Sequence, residues 1–242
     1  MSPVKLDPSS SKRKPEVGDI LYSTNDEKLT LDAQTNNIKN TAIAICVIPE
    51  VTENFRLGDK SGKTTKTARF VSINYMNYTT PTTGSKNGQN IEFGNTYSHA
   101  GNIKGGHGET DYVGGKWNTD KCLHACTKEN KDLTNGVTED WDNGYCAPVC
   151  CCVAYSTLGT KSGDWYLPSV GELYKLSTNK IVINEKRNNL VGSAFRITSY
   201  WSSRTYNNYD NEYYVDIYDG TIDYDSTDNG SNYTLAFLAV EV

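Results

Sequence analysis

Residues 200–234 (YWSSRTYNNYDNEYYVDIYDGTIDYDSTDNGSNYT) concentrate the side chains best suited to gripping another molecule. Tyr, Asn, Asp and Ser fill 23 of these 35 positions, and 8 of the chain's 17 tyrosines fall here. Tyrosine offers a large amphipathic contact surface with only two χ angles to freeze, while Ser, Asn and Gly add adaptable hydrogen bonds. The candidate ligand-binding residues are Tyr206, Asn207, Asn208, Tyr209, Asn211, Tyr213, Tyr214, Asp216, Tyr218, Asp219, Tyr224, Asp225, Asn229, Asn232 and Tyr233. The same composition also suits a polar β-meander or a mobile loop. Apolar residues at strand spacing argue for strands: Trp201, Val215, Ile217, Ile222 and Phe237 are the expected scaffold. Val215 and Ile217 alternate with Tyr214, Asp216 and Tyr218, so pleating would put anchors on one face and candidate contacts on the other.

Other fragments with chemical potential are weaker. Gly62-Lys63-Thr64 resembles the end of a phosphate loop, but the earlier glycine would fall at Leu57 and no hydrophobic strand precedes it. Of the three histidines (His99, His107 and His124), only His124 lies beside cysteines, and no Ser/His/Asp or Cys/His set is defined by spacing. The acidic pairs Asp216 with Asp219 and Asp223 with Asp225 could serve a glycosidase or hold calcium; in so polar a segment they read as a solvated face. Cys122-x₃-Cys126 and Cys146-x₃-Cys150 could close a tetrahedral zinc site, form a disulfide or remain thiols. The odd total of seven cysteines and the adjacent Cys150, Cys151 and Cys152 favour small buried apolar thiols in a reduced protein. No metal and no cofactor are expected.

The elements that must position these residues are mostly short strands. At 242 residues with a mean hydropathy of −0.61 the chain can bury one sizeable core. Its net charge of −5 leaves no electrostatic footprint for nucleic acid. No apolar run approaches the roughly 18 residues of a transmembrane helix, and the first residues show no signal-peptide h-region. Residues 1–17, with Pro, Ser and Lys12-Arg13-Lys14, read as a disordered arm. Residues 18–242 read as a single domain. Strand signals lie at Ile20-Leu21-Tyr22, Ala42 to Ile48 and Ala68 to Ile73, bounded by Asp, Asn, Gly and Pro. A Gly-, Thr-, Ser- and Asn-rich stretch over 79–120 reads as irregular with room for a hairpin, within a long insertion at about 79–140. Helical spacing is expected over Cys146 to Leu158, from Ser169 (with Glu172 at capping-box distance), and over Asn184 to Leu190, ended by Gly192.

The segment Gly163-Asp164-Trp165-Tyr166-Leu167-Pro168-Ser169-Val170-Gly171-Glu172-Leu173, followed by Tyr200-Trp201-Ser202-Ser203 and the apolar tail Ala236-Phe237-Leu238-Ala239-Val240, resembles bacterial and phage C-type-lectin-fold domains. One branch of that family comprises the variable proteins of diversity-generating retroelements. The resemblance covers about residues 145–242, and Ala68 to Thr83 is similar to the upstream part of gut-bacterial relatives. It implies an α+β protein with a C-type lectin fold in the C-terminal half and an elaborated N-terminal β-rich region. It also implies a hypervariable C-terminal surface. Such elements mutate adenines, so Asn codons become Tyr, Asp or Ser codons without ever producing a stop, and anchors lacking those codons stay fixed. The implied role is attachment to a protein or surface glycan of a host or neighbouring cell, from a phage particle, prophage product or bacterial cell surface.

Departures from the family pattern restrict this. The calcium-dependent sugar site of animal C-type lectins needs an EPN or QPD tripeptide and a WND, and neither occurs; Trp141-Asp142-Asn143 has the wrong order and place. Formylglycine-generating relatives need reactive cysteines in the C-terminal half, whereas all seven here precede Lys161. The expectation is therefore a non-enzymatic binding protein. A fixed-specificity adhesin of the same fold is the alternative, and a carboxylate-dependent hydrolase a more distant one.

Overall fold

The structure is a computed structural model that describes residues 3–7, 13–24, 27–32, 41–53, 65–80, 84–87, 112–129, 147–206, 211–226 and 232–242. The chain order begins with β1 (Val4–Lys5), β2 (Ile20–Ser23), β3 (Leu29–Asp32), β4 (Ala42–Glu53) and β5 (Thr65–Ser72). A hairpin, β6 (Asn77–Thr80) and β7 (Gly84–Asn87), precedes helices α1 (Gly115–Glu129) and α2 (Ala147–Ala154). Then come β8 (Trp165–Tyr166), α3 (Val170–Thr178), α4 (Lys180–Val191), β9 (Ser199–Tyr206), β10 (Asn211–Asp216), β11 (Ile222–Ser226) and β12 (Phe237–Glu241). The molecule is thus α+β, as expected.

The principal sheet runs β1-β12-β5-β4-β2-β3, with β8 beside β1 on the free edge of β12. The C-terminal strand β12 is therefore central, antiparallel to β5 over Phe237 to Glu241. Lys5 pairs with Glu241 at one end of this order, yet the next residue, Leu6, bridges Leu29 of β3 at the other end. In a flat sheet those edges would stand about 24 Å apart at ~4.8 Å per strand, while consecutive Cα atoms are only about 3.8 Å apart. The sheet must curl almost onto itself, and residues 4–7 bridge the gap; Asp7 N–H donates to the Leu29 carbonyl at 2.8 Å.

Pleating sends alternate side chains into two apolar clusters, one on each face. Ala68, Phe70, Leu238 and Val240 pack on one side with Cys122 of α1 and Val149, Cys151 and Cys152 of α2. Val71, Phe237 and Ala239 pack on the other side with Val170, Leu173 and Leu176 of α3 and Ile183 and Leu190 of α4. Full burial of an apolar side chain is worth about 1.5–3 kcal/mol, so these two clusters are the main source of stability.

Four expectations need adjustment. The arm at 1–17 is ordered where described: Val4–Lys5 forms β1, and Arg13 makes two 2.7 Å hydrogen bonds to the Asp19 carboxylate. The 79–140 insertion contains a hairpin, as anticipated, but also the fifteen-residue α1. The helix expected over Cys146 to Leu158 is the shorter α2, and the one expected from Asn184 starts earlier, at Lys180. It ends where expected, on Gly192 in the left-handed conformation (φ 78°). Cys46, Cys122, Cys151 and Cys152 are buried and outside any disulfide. Burial raises the pKa of Cys46, Cys151 and Cys152, which makes them inert as nucleophiles. The side chains of Cys126 and Cys146 lie outside the described residues.

Candidate functional site

The motif around residues 163–173 does structural work. Ser169 caps α3 by accepting from Glu172 N–H, and the Glu172 carboxylate returns to Ser169 N–H at 2.7 Å, completing the capping box. The same carboxylate accepts from Arg69 Nε at 2.9 Å, Tyr166 Oη at 2.9 Å and Gly115 N–H at 3.2 Å. Arg69 is 1 % exposed and Glu172 is fully buried, and Arg69 also donates to Thr67 Oγ1 at 2.6 Å. One carboxylate therefore ties β5, β8, α1 and α3 together. Gly115 is obligatory here, since a Cβ would sit 2.3 Å from Glu172 Oε2 and 2.5 Å from Ser169 N.

On this base stands a second, three-stranded sheet, β11-β10-β9. Its register sorts the polar segment onto two faces. Tyr213 opposes Tyr224, and Val215 opposes both Ile222 and Tyr200. The other face carries Tyr214 opposite Asp223 and Trp201, and Glu212 opposite Asp225. Val215 and Ile217 are buried to 0 % and 1 %, while Tyr218 is 67 % exposed. Trp201 and Phe237 are fully buried, and half-buried Ile222 packs on the same cluster as Val215. The scaffold residues named from sequence thus occupy scaffold positions.

The candidate contact residues separate into groups. Tyr218, Asp219 and Tyr224 are exposed; Tyr206, Asn211, Tyr214, Asp216 and Asp225 are half-buried. Tyr206 and Tyr224 stack in parallel, centroids 3.9 Å apart and planes 3° apart. Tyr213 meets Tyr206 edge-on at 5.4 Å and Tyr224 at 6.4 Å. Tyr213 and Asn232, both 7 % exposed, depart from the surface expectation. Residue 213 shares strand parity with Val215, so the pleat turns it inward regardless of its type. Tyr233 is half-buried in a separate aromatic group with Tyr200 (5.7 Å) and Tyr75 (5.9 Å), covered by the Arg196 guanidinium. Asn207, Asn208, Tyr209 and Asn229 lie outside the described residues.

Two acids of this region hold the turn between β10 and β11: Asp216 accepts from Tyr218 N–H at 2.7 Å and Asp219 from Thr221 N–H at 2.8 Å. Asp223, within β11, accepts from the N–H of its neighbour Tyr224 at 2.8 Å. The Thr221 bond lowers the pKa of Asp219. Tyr214 titrates higher than an ordinary tyrosine, through desolvation first and then the fields of Asp223, Asp225 and Asp216. Among the described residues no three His, Cys, Asp or Glu side chains converge on a metal-sized site.

Sequence reasoning passed over Glu212, the sole glutamate of residues 200–234. Its side chain is fully buried, and among the described residues neither carboxylate oxygen has a hydrogen-bond partner. Desolvation drives its pKa well up, the Cys122 thiol adds to this, and Arg204 opposes it. Burial of this kind favours the neutral carboxyl. The hub formed by Arg69 and Glu172 was also missed, although the capping-box spacing had marked Glu172 itself.

No protein-family model and no curated protein matches this chain. The fold is similar to that of a fimbrial protein from Bacteroides ovatus ATCC 8483 known from its crystal structure, with a TM-score of 0.54 and 17 % identity. The match covers 93 % of this chain and 48 % of the fimbrial one, so the chain spans about half the length of that protein. At this identity the likeness is one of fold. Among the described residues no helix is long and apolar enough to cross a membrane.

Proposed function

We propose that this chain is a ligand-binding module of an extracellular attachment protein, with the β9–β11 sheet and its turns as the contact surface. One contrast carries the reading: Val215 and Ile217 are locked in the core while Tyr218 and Tyr224, a few residues away, stand 67 % and 44 % exposed. An exposed tyrosine on a strand (Tyr224) and another on the turn between β10 and β11 (Tyr218) are a costly arrangement for a surface with nothing to bind, and Tyr is enriched at recognition hot spots. The fold likeness to a fimbrial protein supports a surface role. The turn-holding bonds of Asp216 and Asp219 favour binding over catalysis.

In its finer form the reading takes the C-terminal half as a C-type-lectin fold whose exposed residues a retroelement diversifies. A near-copy of the 200–234 coding segment differing at adenines, beside a reverse transcriptase gene, tests this; absence of both leaves a fixed-specificity adhesin. The burial of Tyr213 and Asn232 favours the fixed form at those two positions, because packed side chains tolerate exchange poorly.

The attachment reading is tested by flow cytometry of the labelled chain on a panel of bacterial and animal cells. Binding to at least one cell type is expected, falling at least fivefold in a Tyr218→Ala, Asp219→Ala double variant of unchanged thermal midpoint. Binding to none, or binding indifferent to the double variant, refutes it.

A further inference from the structure

Resting on the attachment reading above, we infer that the outer end of the three-stranded sheet is a stacking platform for a neutral saccharide ring, with Tyr224 as its floor. Tyr224 is 44 % exposed, and its ring is backed by Tyr206 in a parallel stack at 3.9 Å. The buried Tyr213 braces both rings edge-on. The platform is therefore ordered before any ligand arrives, which removes the side-chain ordering cost that weakens flexible sites. A pyranose presents a patch of C–H groups whose partial positive charge suits the negative face of an aromatic ring. Asn211 lies directly across from Tyr206 in the β9–β10 pair. Its half-buried amide offers both a donor and an acceptor to ring hydroxyls.

Charge sorting decides the ligand class. On the Tyr224 face, the described side chains of β10 and β11 are Asn211, Tyr213, Val215, Ile222 and Tyr224, none of them charged. The acids Glu212, Asp216, Asp223 and Asp225 all occupy the opposite face by strand parity. Although its side chain lies on the opposite face, Asp223 acts electrostatically on Tyr224, so an anionic glycan would be repelled there in a chain of net charge −5, and a basic peptide would settle on the acidic face instead. Arg204 of β9 shares strand parity with Tyr206, but its Nε is buried and its charge acts on buried Glu212, so a neutral sugar is the class that fits the uncharged Tyr224 face of β10 and β11.

The test is a glycan array of neutral and acidic oligosaccharides probed with the full chain, followed by calorimetry on the strongest hit. Binding to a neutral glycan is expected, weakened at least tenfold by Tyr224→Ala and retained by Tyr224→Trp, with both variants keeping the parent thermal midpoint. Binding to acidic glycans alone, to none, or with equal affinity in Tyr224→Ala overturns the proposal. The attachment reading fails separately. Cell binding that survives periodate but is abolished by protease, and that depends on Tyr218 and Asp219, would overturn the saccharide platform and leave attachment standing.

Discussion

Replacing Glu212 by glutamine should stabilise the protein at pH 7, and the effect should depend on pH. The side chain is fully buried, both oxygens lack a hydrogen-bond partner among the described residues, and desolvation holds its pKa well above the ordinary value. In the unfolded chain a glutamate titrates near ~4.3. Folding at pH 7 then requires taking up a proton, at a cost of at most about 1.36 × (7 − 4.3), or ~3.7 kcal/mol. The sign follows from the raised folded value. Stability is fullest below the unfolded pKa and falls as pH rises through and beyond it, by up to about 1.4 kcal/mol per unit, until the folded group itself ionises. Glutamine keeps the shape and removes the proton requirement, while its amide inherits the missing partners. The expected gain is about 2–3 kcal/mol at pH 7, turning into a loss of about 0.5–1.5 kcal/mol at pH 4, where only ~0.2 kcal/mol of the proton cost remains to offset the unsatisfied amide. Urea unfolding followed by tryptophan fluorescence at both pH values measures this, since Trp201 lies across β9 and β10 from Tyr214, two residues along from Glu212. A difference that is the same at pH 4 and pH 7, or a loss at pH 7, refutes the neutral buried carboxyl.

Two further substitutions probe the hub. Glu172→Ala strands the 1 %-exposed Arg69 guanidinium and removes the acceptor of Tyr166 and Gly115; a loss of about 3–5 kcal/mol is expected in urea titrations. Gly115→Ala adds a methyl group 2.3 Å from Glu172 Oε2. The expected loss is about 1–3 kcal/mol, read as a lower thermal midpoint, and an unchanged midpoint would mean that the α1 terminus does not seat on the carboxylate.

Features written as local rules were legible in the sequence. Ser169 and Glu172 form the capping box their spacing promised, and Gly192 ends α4 as a left-handed residue. Val215 and Ile217 are buried as their alternation required. Helix α1 escaped notice because it is docked by polar bonds in place of an apolar stripe. Asn118 Nδ2 donates to Ser203 Oγ, Thr119 Oγ1 bonds the Leu167 backbone, and Gly115 N–H meets Glu172. None of these partners lies within 45 residues of its mate, as the separations of 85, 48 and 57 show, so no local pattern could announce them. Tyr213 was misplaced for a different reason. Composition marked it as a contact residue, while its parity with Val215 marked it as interior, and packing followed parity. Glu212 carried no warning beyond being the lone glutamate among aspartates.

The carboxylate of Glu172 has a consequence for anyone wishing to transplant the tyrosine-bearing half. Its ion-pair partner lies 103 residues upstream and its α1 partner 57 upstream, and β12 takes its long pairing from β5. A fragment cut at residue 145 would keep the whole 163–173 motif and the tyrosine-bearing strands yet leave an acid entombed without its counter-ion and an interior strand without its neighbour. The C-terminal half is a region of resemblance, not a cassette: moving its surface to another protein means moving the entire chain.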